Sequence, residues 1–270
     1  MPDLSKYFLI TDLDGTLLPD NKVLNPVDIE AIDRFRRDGG LFTIATGRTR
    51  QAADRFVEQL SIDIPVVMYN GSLILDVKSN KPLYTYELPD EAYGIAKDIL
   101  DKFENIGSEV LRLDNIYVVC NNEYEKRHVE ICGVTPLYMP IEQVPREEWH
   151  KVLFADAPPG IDKLEEYFRG REFPVDFVRS EAHYFEILPK GSSKGAALKE
   201  YRRIFGLSDK KVIAAGDYNN DIEMLEEADI GAAPSGARED VKRCADIVLD
   251  HTNNDGAIAE LIRRIYNGEI

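Results

Sequence analysis

Short apolar runs alternate with amphipathic helical stretches at both ends of the chain, and this alternation restricts the fold more than any other feature. The run YFLITDL at 7–13 has the length of a buried strand and ends on two acids, Asp12 and Asp14. After a loop containing Pro19, Asn25 reads as a helix N-cap with Pro26 in the first helical position. Ile29, Ile32 and Phe35 then share one face, and Gly39 and Gly40 end the helix. A second run, LFTIA at 41–45, leads into Thr46, Gly47 and Arg48, read as opening a helix whose inner face is Ala53, Phe56, Val57 and Leu60. A third run spans 65–69. Strands alternating with such helices predict an α/β fold, a parallel sheet with helices on both faces.

The rhythm then changes. Runs at 72–77 and 83–88 flank the polar turn KSNK, which is a hairpin pattern. Between Pro89 and Leu188 the sequence predicts a helix with Ile95, Ile99 and Phe103, and strands at 109–113, 116–120 and 152–155. A helix with Leu164, Tyr167 and Phe168 and strands at 173–179 and 183–188 follow. This mixture is an α+β insertion. After a linker at 189–193 the strand and helix units resume: helix 194–205, strand 211–215, a helix from Asn220, strand 229–232 and a last helix after Asp255. The expected domains are therefore 1–83 and 189–270 for a discontinuous core and 84–188 for the insertion.

Composition excludes several classes. With 270 residues, 44% hydrophobic and 30% charged, the chain can bury a sizeable core without disulfide staples. A formal charge of -16, with no local run of five basic residues, disfavours nucleic acid and anionic membranes as partners. Cys120, Cys132 and Cys244 form no close pair, and their odd number argues against a full disulfide framework, so a reducing cytoplasm is expected. The amino terminus, whose short apolar run ends in acids, is unlike a signal peptide or a membrane span. His128, His150, His183 and His251 show no metal-ligand spacing and are expected to be structural.

Four strand ends carry chemistry. Asp12 and Asp14 flank Leu13 where open parallel sheets place ligands; two such carboxylates repel, which favours one proton or a shared cation. Taken alone, such a pair more often marks a solvated acidic turn at a strand end. Gly15 lets the backbone turn, and Thr16 supplies a hydroxyl. Thr46 and Gly47 offer a hydroxyl and backbone N–H groups at a helix start, suited to an anion or simply to capping. Lys194 opens a helix, where a cation opposes the helix dipole and calls for an anion nearby, unless it is merely a solvated lysine. GDYNND at 216–221 brings Asp217 and Asp221, hard oxygen ligands suited to Mg²⁺, with Asn220 or Asp221 as an ordinary helix cap in the plainer reading.

DLDGTLL at 12–18, ATGR at 45–48, SKGAAL at 193–198 and GDYNNDIEML at 216–225 resemble, in order, the four motifs of the haloacid dehalogenase superfamily. NGS at 70–72 and NNDGAIAEL at 253–261 are similar to its Cof-like phosphatase branch. APSGA at 233–237 departs from the AMGNA-like stretch usual there, so no role is carried over for the missing Asn. The resemblance implies a Rossmann-like core with an inserted α+β cap, a small phosphorylated metabolite as substrate, and Mg²⁺. It implies Asp12 as nucleophile and Asp14 as acid and then base. Asp12, the Asp14 carbonyl and Asp217 would ligate the metal, with Asp221 holding its waters or Lys194. Thr46, Gly47 and Lys194 would hold the phosphoryl group. Candidate substrate contacts are Arg48, Asn70 and Asn220, with Arg179, His183 and Glu186 from the cap. The expected activity is hydrolysis of sugar phosphates; a sugar phosphomutase and a silent sugar-phosphate sensor are the alternatives, the last disfavoured because a binder needs no nucleophile beside an acid.

Overall fold

The computed structural model describes residues 3–113 and 115–270, so Met1 and Pro2 of the expected core segment, and Asp114, lie outside the described residues. Contacts group the chain into two units: Met1–Gly47, Asp54–Tyr84 and Ser193–Ile270 in the first, Arg48–Ala53 and Thr85–Ser192 in the second.

In chain order the first stretch carries β1 (Tyr7–Thr11), α1 (Pro26–Arg37), β2 (Leu41–Ile44), α2 (Arg50–Gln59), β3 (Val66–Met68), β4 (Leu73–Asp76) and β5 (Lys81–Thr85). The second unit continues with α3 (Glu91–Lys102), β6 (Gly107–Arg112), β7 (Ile116–Cys120), α4 (Glu123–Cys132), β8 (Leu137–Tyr138), β9 (Trp149–Ala155), α5 (Pro158–Phe168), β10 (Val175–Glu181) and β11 (Tyr184–Pro189). The chain then adds α6 (Lys194–Phe205), β12 (Lys211–Ala215), α7 (Ile222–Glu227), β13 (Ile230–Ala233), α8 (Glu239–Cys244), β14 (Ile247–Val248) and α9 (Ala257–Tyr266).

The first unit's main sheet has the order β14-β13-β12-β1-β2, with every pair parallel. A bridge between Ala45 and Val67 links its β2 side to the smaller β3-β4-β5 sheet. Because β1 lies between β2, which follows it, and β12, which comes after the whole second unit, the winding reverses at β1. That reversal leaves a crevice at the carboxyl ends of β1 and β12. Phe8 and Ile10 of β1 pack with Val212 and Ala214 of β12 and with Leu198 and Tyr201 of α6. The Tyr201 hydroxyl donates to the Pro65 carbonyl at 3.0 Å, so this large aromatic is buried without an orphaned O–H.

Helices α1 and α9 pack on each other. As its residues suggest, α1 starts at Asn25, whose side chain accepts from the Val27 N–H, with Pro26 at the first position. Asp28 in its first turn is buried and accepts the Ala259 N–H at 2.7 Å, which caps the start of α9. Burial raises the Asp28 carboxyl to about 6, against the pull of the Ala259 and Ile258 N–H groups.

The second unit is a six-stranded sheet, β10-β11-β9-β6-β7-β8. Val110, Val152, Phe154, Phe185 and Ile187 meet Ala92, Ala96 and Ile99 of α3 and Ile161, Leu164 and Phe168 of α5 in one core. Helix α4 contacts β6 and β9. It is absent from the sequence reading because its inward-facing residue is Glu125 rather than an apolar stripe. The two-residue strands β8 and β14 and the six-residue α8 are too short to show a period. β4 and β5 are neighbours in the small sheet, as the hairpin pattern predicts, but β5 starts at Lys81 rather than 83, while Leu88 instead donates its N–H to the Trp149 carbonyl. No helix among the described residues is long and apolar enough to cross a membrane.

A carboxyl raised in the folded state favours folding while protonated and loses that contribution as pH rises from the unfolded value toward the folded one. Asp28→Asn cannot lose a proton. Its stability relative to wild type is therefore expected to rise between about pH 4 and pH 6, by roughly 1–3 kcal/mol, in urea unfolding at fixed pH values. A difference that stays flat with pH would show that Asp28 is ionised throughout.

Candidate active site

Three segment ends meet at the crevice. The β1 to β12 pairing continues past the strands, since the Asp12 N–H donates to the Ala215 carbonyl at 2.9 Å, and Ala45 donates to Thr11 on the other side at 2.9 Å. Asp12 is thus carried to the edge of the sheet next to the Gly216 and Asp217 turn. Only 5% of Asp12 is exposed, so its carboxylate needs a partner.

That partner is Lys194. Its Nζ lies 2.5 Å from Asp12 Oδ1 and 2.7 Å from Asp221 Oδ1, and the whole residue is buried. The reading of Lys194 as a possible solvated surface lysine is therefore overturned. Ser193 caps α6 by accepting from Ala196, which fixes Lys194 at the first helical position, and the two aspartates offset the unfavourable dipole there. Burial works against the ammonium, but Asp12 and Asp221 outweigh it and hold its pKa above the usual lysine value. Burial raises Asp12 well above a normal carboxylate; Lys194 opposes that, while Asp221, Asp217 and Asp14 add to it.

Asp221 is also held by the backbone. Its Oδ2 accepts from the Asp217 and Tyr218 N–H groups at 3.0 and 3.1 Å, so the loop before α7 closes on the carboxylate that faces Lys194. Tyr218 precedes the short 3-10 turn 219–221, and Asp221 takes the N-cap position of α7, as the plainer reading allowed, although its side chain is turned to Lys194 and the loop N–H groups rather than to the first turn of α7. Asp217 Oδ1 accepts from Thr16 at 2.7 Å. Gly15, at φ +86, turns the chain beneath it, and a methyl group there would run into the Asp217 carboxylate. Burial, then Asp221, raises Asp217 to about 6, with Thr16 pulling the other way. Asp12, Asp217 and Asp221 each offer an oxygen within 4.8 Å of the others, a set that can hold a hard cation.

Asp14 stands apart from that trio. It pairs with Lys22 at 2.7 Å, and both side chains are 37% exposed. Within APSGA the Ser235 N–H donates to the His251 carbonyl at 2.9 Å, and Arg238, the next residue after it, donates its N–H to the Asp217 carbonyl at 3.1 Å. The tail motif braces the loop after β1, because Asn253 Nδ2 donates to the Leu18 carbonyl and to Asp20, both at 3.1 Å. Glu260 receives the Asp250 and His251 N–H groups.

Thr46 and Gly47 do not open a helix. They lie on a loop, and α2 begins at Arg50, where the Thr49 hydroxyl accepts from Ala52. Thr46 is instead locked by backbone bonds to Val67 and Asn70. Asn70, in the left-handed region at φ 55, accepts from Asn220 Nδ2 at 3.0 Å, which joins two candidate substrate contacts into one polar pair. Arg48, Arg179, His183 and Glu186 belong to the second unit. There Arg179 is engaged by Asp162 and Glu165, His183 stacks on Tyr124, and Glu186 pairs with Lys151.

Residues 9–262 match the haloacid dehalogenase-like hydrolases. The chain is 26% identical, over 97% of its length and 98% of the relative's, to the 5-amino-6-(5-phospho-D-ribitylamino)uracil phosphatase of Bacillus subtilis. It is 29% identical to the pyridoxal phosphate phosphatase of Escherichia coli, covering 93% and 95% of the two chains. A solved sugar phosphatase of subclass IIB superposes with a TM-score of 0.83 at 22% identity, covering 98% of this chain and 100% of that one. The chain belongs to the haloacid dehalogenase-like hydrolases and, with relatives of that activity along nearly its whole length, is a phosphatase.

Removing one member of a buried ion group leaves the others uncompensated, at a cost of about 3–5 kcal/mol. Lys194→Met is expected to lose that much stability in chelator-treated protein, measured by denaturant unfolding. A loss below about 1 kcal/mol would mean that Asp12 and Asp221 are neutral there and that the lysine is not their counterion.

Proposed function

We propose that this phosphatase is Mg²⁺-dependent, acts on small phosphomonoesters with sugar phosphates foremost, and works through an aspartyl phosphate on Asp12. The observation that carries the reading is the buried Lys194, held between Asp12 and Asp221 at the sheet edge. Lys194 fixes Asp12 Oδ1, and no other side chain among the described residues donates to this carboxylate. The second oxygen is left to attack phosphorus. The substrates named for the two relatives, a ribitylamino phosphate and pyridoxal phosphate, are both small phosphomonoesters.

The donor set fits Mg²⁺: Asp12, Asp217 and Asp221 crowd hard carboxylate oxygens around a single lysine. Asp12, Asp217 and the Asp14 carbonyl would hold the ion, with Asp221 behind them; once bound, it offsets the repulsion between carboxylate and phosphoryl oxygens. Asp12 adds to phosphorus as the bond to the alkoxide breaks, and Asp14 gives that oxygen its proton. Asp14 then takes a proton from water, whose oxygen attacks the same phosphorus, so phosphate leaves and the Asp12 carboxylate returns. To act as an acid Asp14 must part from Lys22, a half-exposed pair worth no more than about 1 kcal/mol. Thr46, Gly47 and Lys194 hold the phosphoryl oxygens. The Asn70 and Asn220 pair is assigned to the rest of the substrate.

Phosphate release against a panel of sugar, polyol, nucleotide and cofactor phosphates, with and without Mg²⁺, tests substrate and metal together. EDTA is expected to abolish turnover, Mg²⁺ to restore it and Ca²⁺ to restore little, because its looser shell spoils in-line geometry. Full activity in EDTA would exclude the metal assignment. Asp12→Asn is expected to fold yet lose all turnover, since an amide forms no acyl phosphate. Near-normal phosphate release by that variant would move the nucleophile elsewhere.

A further inference from the structure

The second unit contains a buried polar cluster that its fold leaves unexplained. Glu109 on β6 and Glu125 on α4 are 1% and 0% exposed, with His128 one helical turn beyond Glu125. One ligand atom from each lies within 4.8 Å of the other two. Helix α4 can approach this closely because Gly107 sits beneath it: a Cβ at 107 would stand 2.7 Å from that of Glu125. Val110, the strand neighbour of Glu109, points into the apolar core shared with α3 and α5, so Glu109 faces the opposite side of the sheet.

What sets the cluster apart is how little holds it. The two carboxyl groups lie against each other, and apart from that mutual contact neither oxygen of Glu125 has a donor among the described residues, while those of Glu109 have only the ion-pair contact to His128 Nδ1 at 3.2 Å. Two fully buried carboxylates side by side normally each require donors, at a cost of several kcal/mol when left without them. The nearby Lys151 is paired with Glu186 at 3.0 Å.

We propose that Glu109, Glu125 and His128 bind a divalent transition-metal ion, a second metal site in the second unit, separate from the carboxylate site of the first. The donors are two carboxylate oxygens and the imidazole Nδ1. The nitrogen distinguishes this set from the all-oxygen site at Asp12, Asp217 and Asp221: Mg²⁺ suits oxygen alone, whereas imidazole favours Zn²⁺, Co²⁺ and their neighbours. Tetrahedral zinc separates its ligand atoms by about 3.3 Å, given bonds of about 2.0–2.2 Å. Glu109 Oε1 and His128 Nδ1 stand 3.2 Å apart, and an oxygen of Glu125 lies within 4.8 Å of both ligand atoms. On the far side of the ring, His128 Nε2 lies 3.5 Å from Cys132 Sγ, one turn further along α4. With Nε2–H donating to that sulfur, the lone pair of Nδ1 faces the carboxylates, which is how outer-shell partners orient ligating histidines. The ion would tie α4 to β6 and strengthen the unit.

Protons are the competing occupant. Burial and Glu109 raise Glu125 to about 9, while burial works against a charged His128 but is outweighed by Glu109, which raises the imidazole well above its usual value. A proton shared between the two glutamates would then neutralise the cluster.

The test uses the whole chain, stripped with chelator and kept in excess Mg²⁺ so that the first site is occupied, then dialysed against Zn²⁺ and counted by elemental analysis. Wild type is expected to retain one Zn²⁺ and to melt at a higher temperature for it. Asp217→Asn is expected to keep both effects, while Glu125→Gln and His128→Asn lose them, with at least about tenfold weaker binding. Co²⁺ is expected to give a visible absorption band in wild type that disappears in His128→Asn. If Glu125→Gln fails to fold, the wild-type count and the Co²⁺ band still decide. No Zn²⁺ retained over Mg²⁺, or equal retention by Glu125→Gln, would overturn the proposal; the first result together with a Glu125→Gln variant more stable than wild type would assign the cluster to a shared proton.

Discussion

The ion group of Lys194 with Asp12 and Asp221 is the interaction on which the rest of the site depends. It joins residues 182 positions apart and lies wholly inside the protein. Such groups are poor sources of stability, because desolvating three charges costs about as much as their attraction returns. Apolar side chains of similar size would serve the fold as well. The lysine has another consequence: it binds one oxygen of Asp12 and one of Asp221, and it cannot neutralise Asp217 as well. A net negative pocket remains at a sheet edge, which is a setting for a cation and, with that cation, for an anionic substrate.

The sheet explains why these residues meet. A chain that wound continuously in one direction would fill the space beyond β1 with a crossover connection. Here the winding reverses at β1, with β2 on one side and β12 on the other, so the loops after β1 and β12 diverge and leave a crevice. Asp12 and Asp217 are each the first or second residue beyond a strand, where the backbone ladder still holds them. Lys194 comes from a helix whose start is pinned by Ser193. Each functional group thus sits on a rigid element or immediately next to one, and the freer Asp14 is the one assigned to moving a proton.

Much of this was legible in the sequence, for identifiable reasons. Helix α6 and strands β7 and β12 have the bounds their patterns predict, because apolar runs and cap residues mark both ends. Three features were not legible. Helix α4 hides because Glu125, not an apolar side chain, is what it buries. The start of α2 was misplaced because Thr46 and Thr49 are both good caps, and the pairing of Thr46 with Val67 and Asn70, a tertiary fact, decides between them. The burial of Lys194 depends on where α6 packs, which periodicity alone does not encode.

Asp12 and Asp14 are separated by one residue, yet the structure gives them opposite surroundings. One is buried against a lysine on a packed helix; the other is half-exposed against a lysine on a loop. Leu13 between them is buried, so the chain cannot rotate to exchange the two. Identical groups can take different roles when their surroundings differ in burial and in charged partners. The backbone enforces this asymmetry through Gly15: its positive φ turns the chain immediately after Asp14 and lets Thr16 fold back onto Asp217. An alanine at 15 would leave both aspartates in the sequence and still remove the turn that separates their environments. The motif therefore needs its glycine as much as its acids.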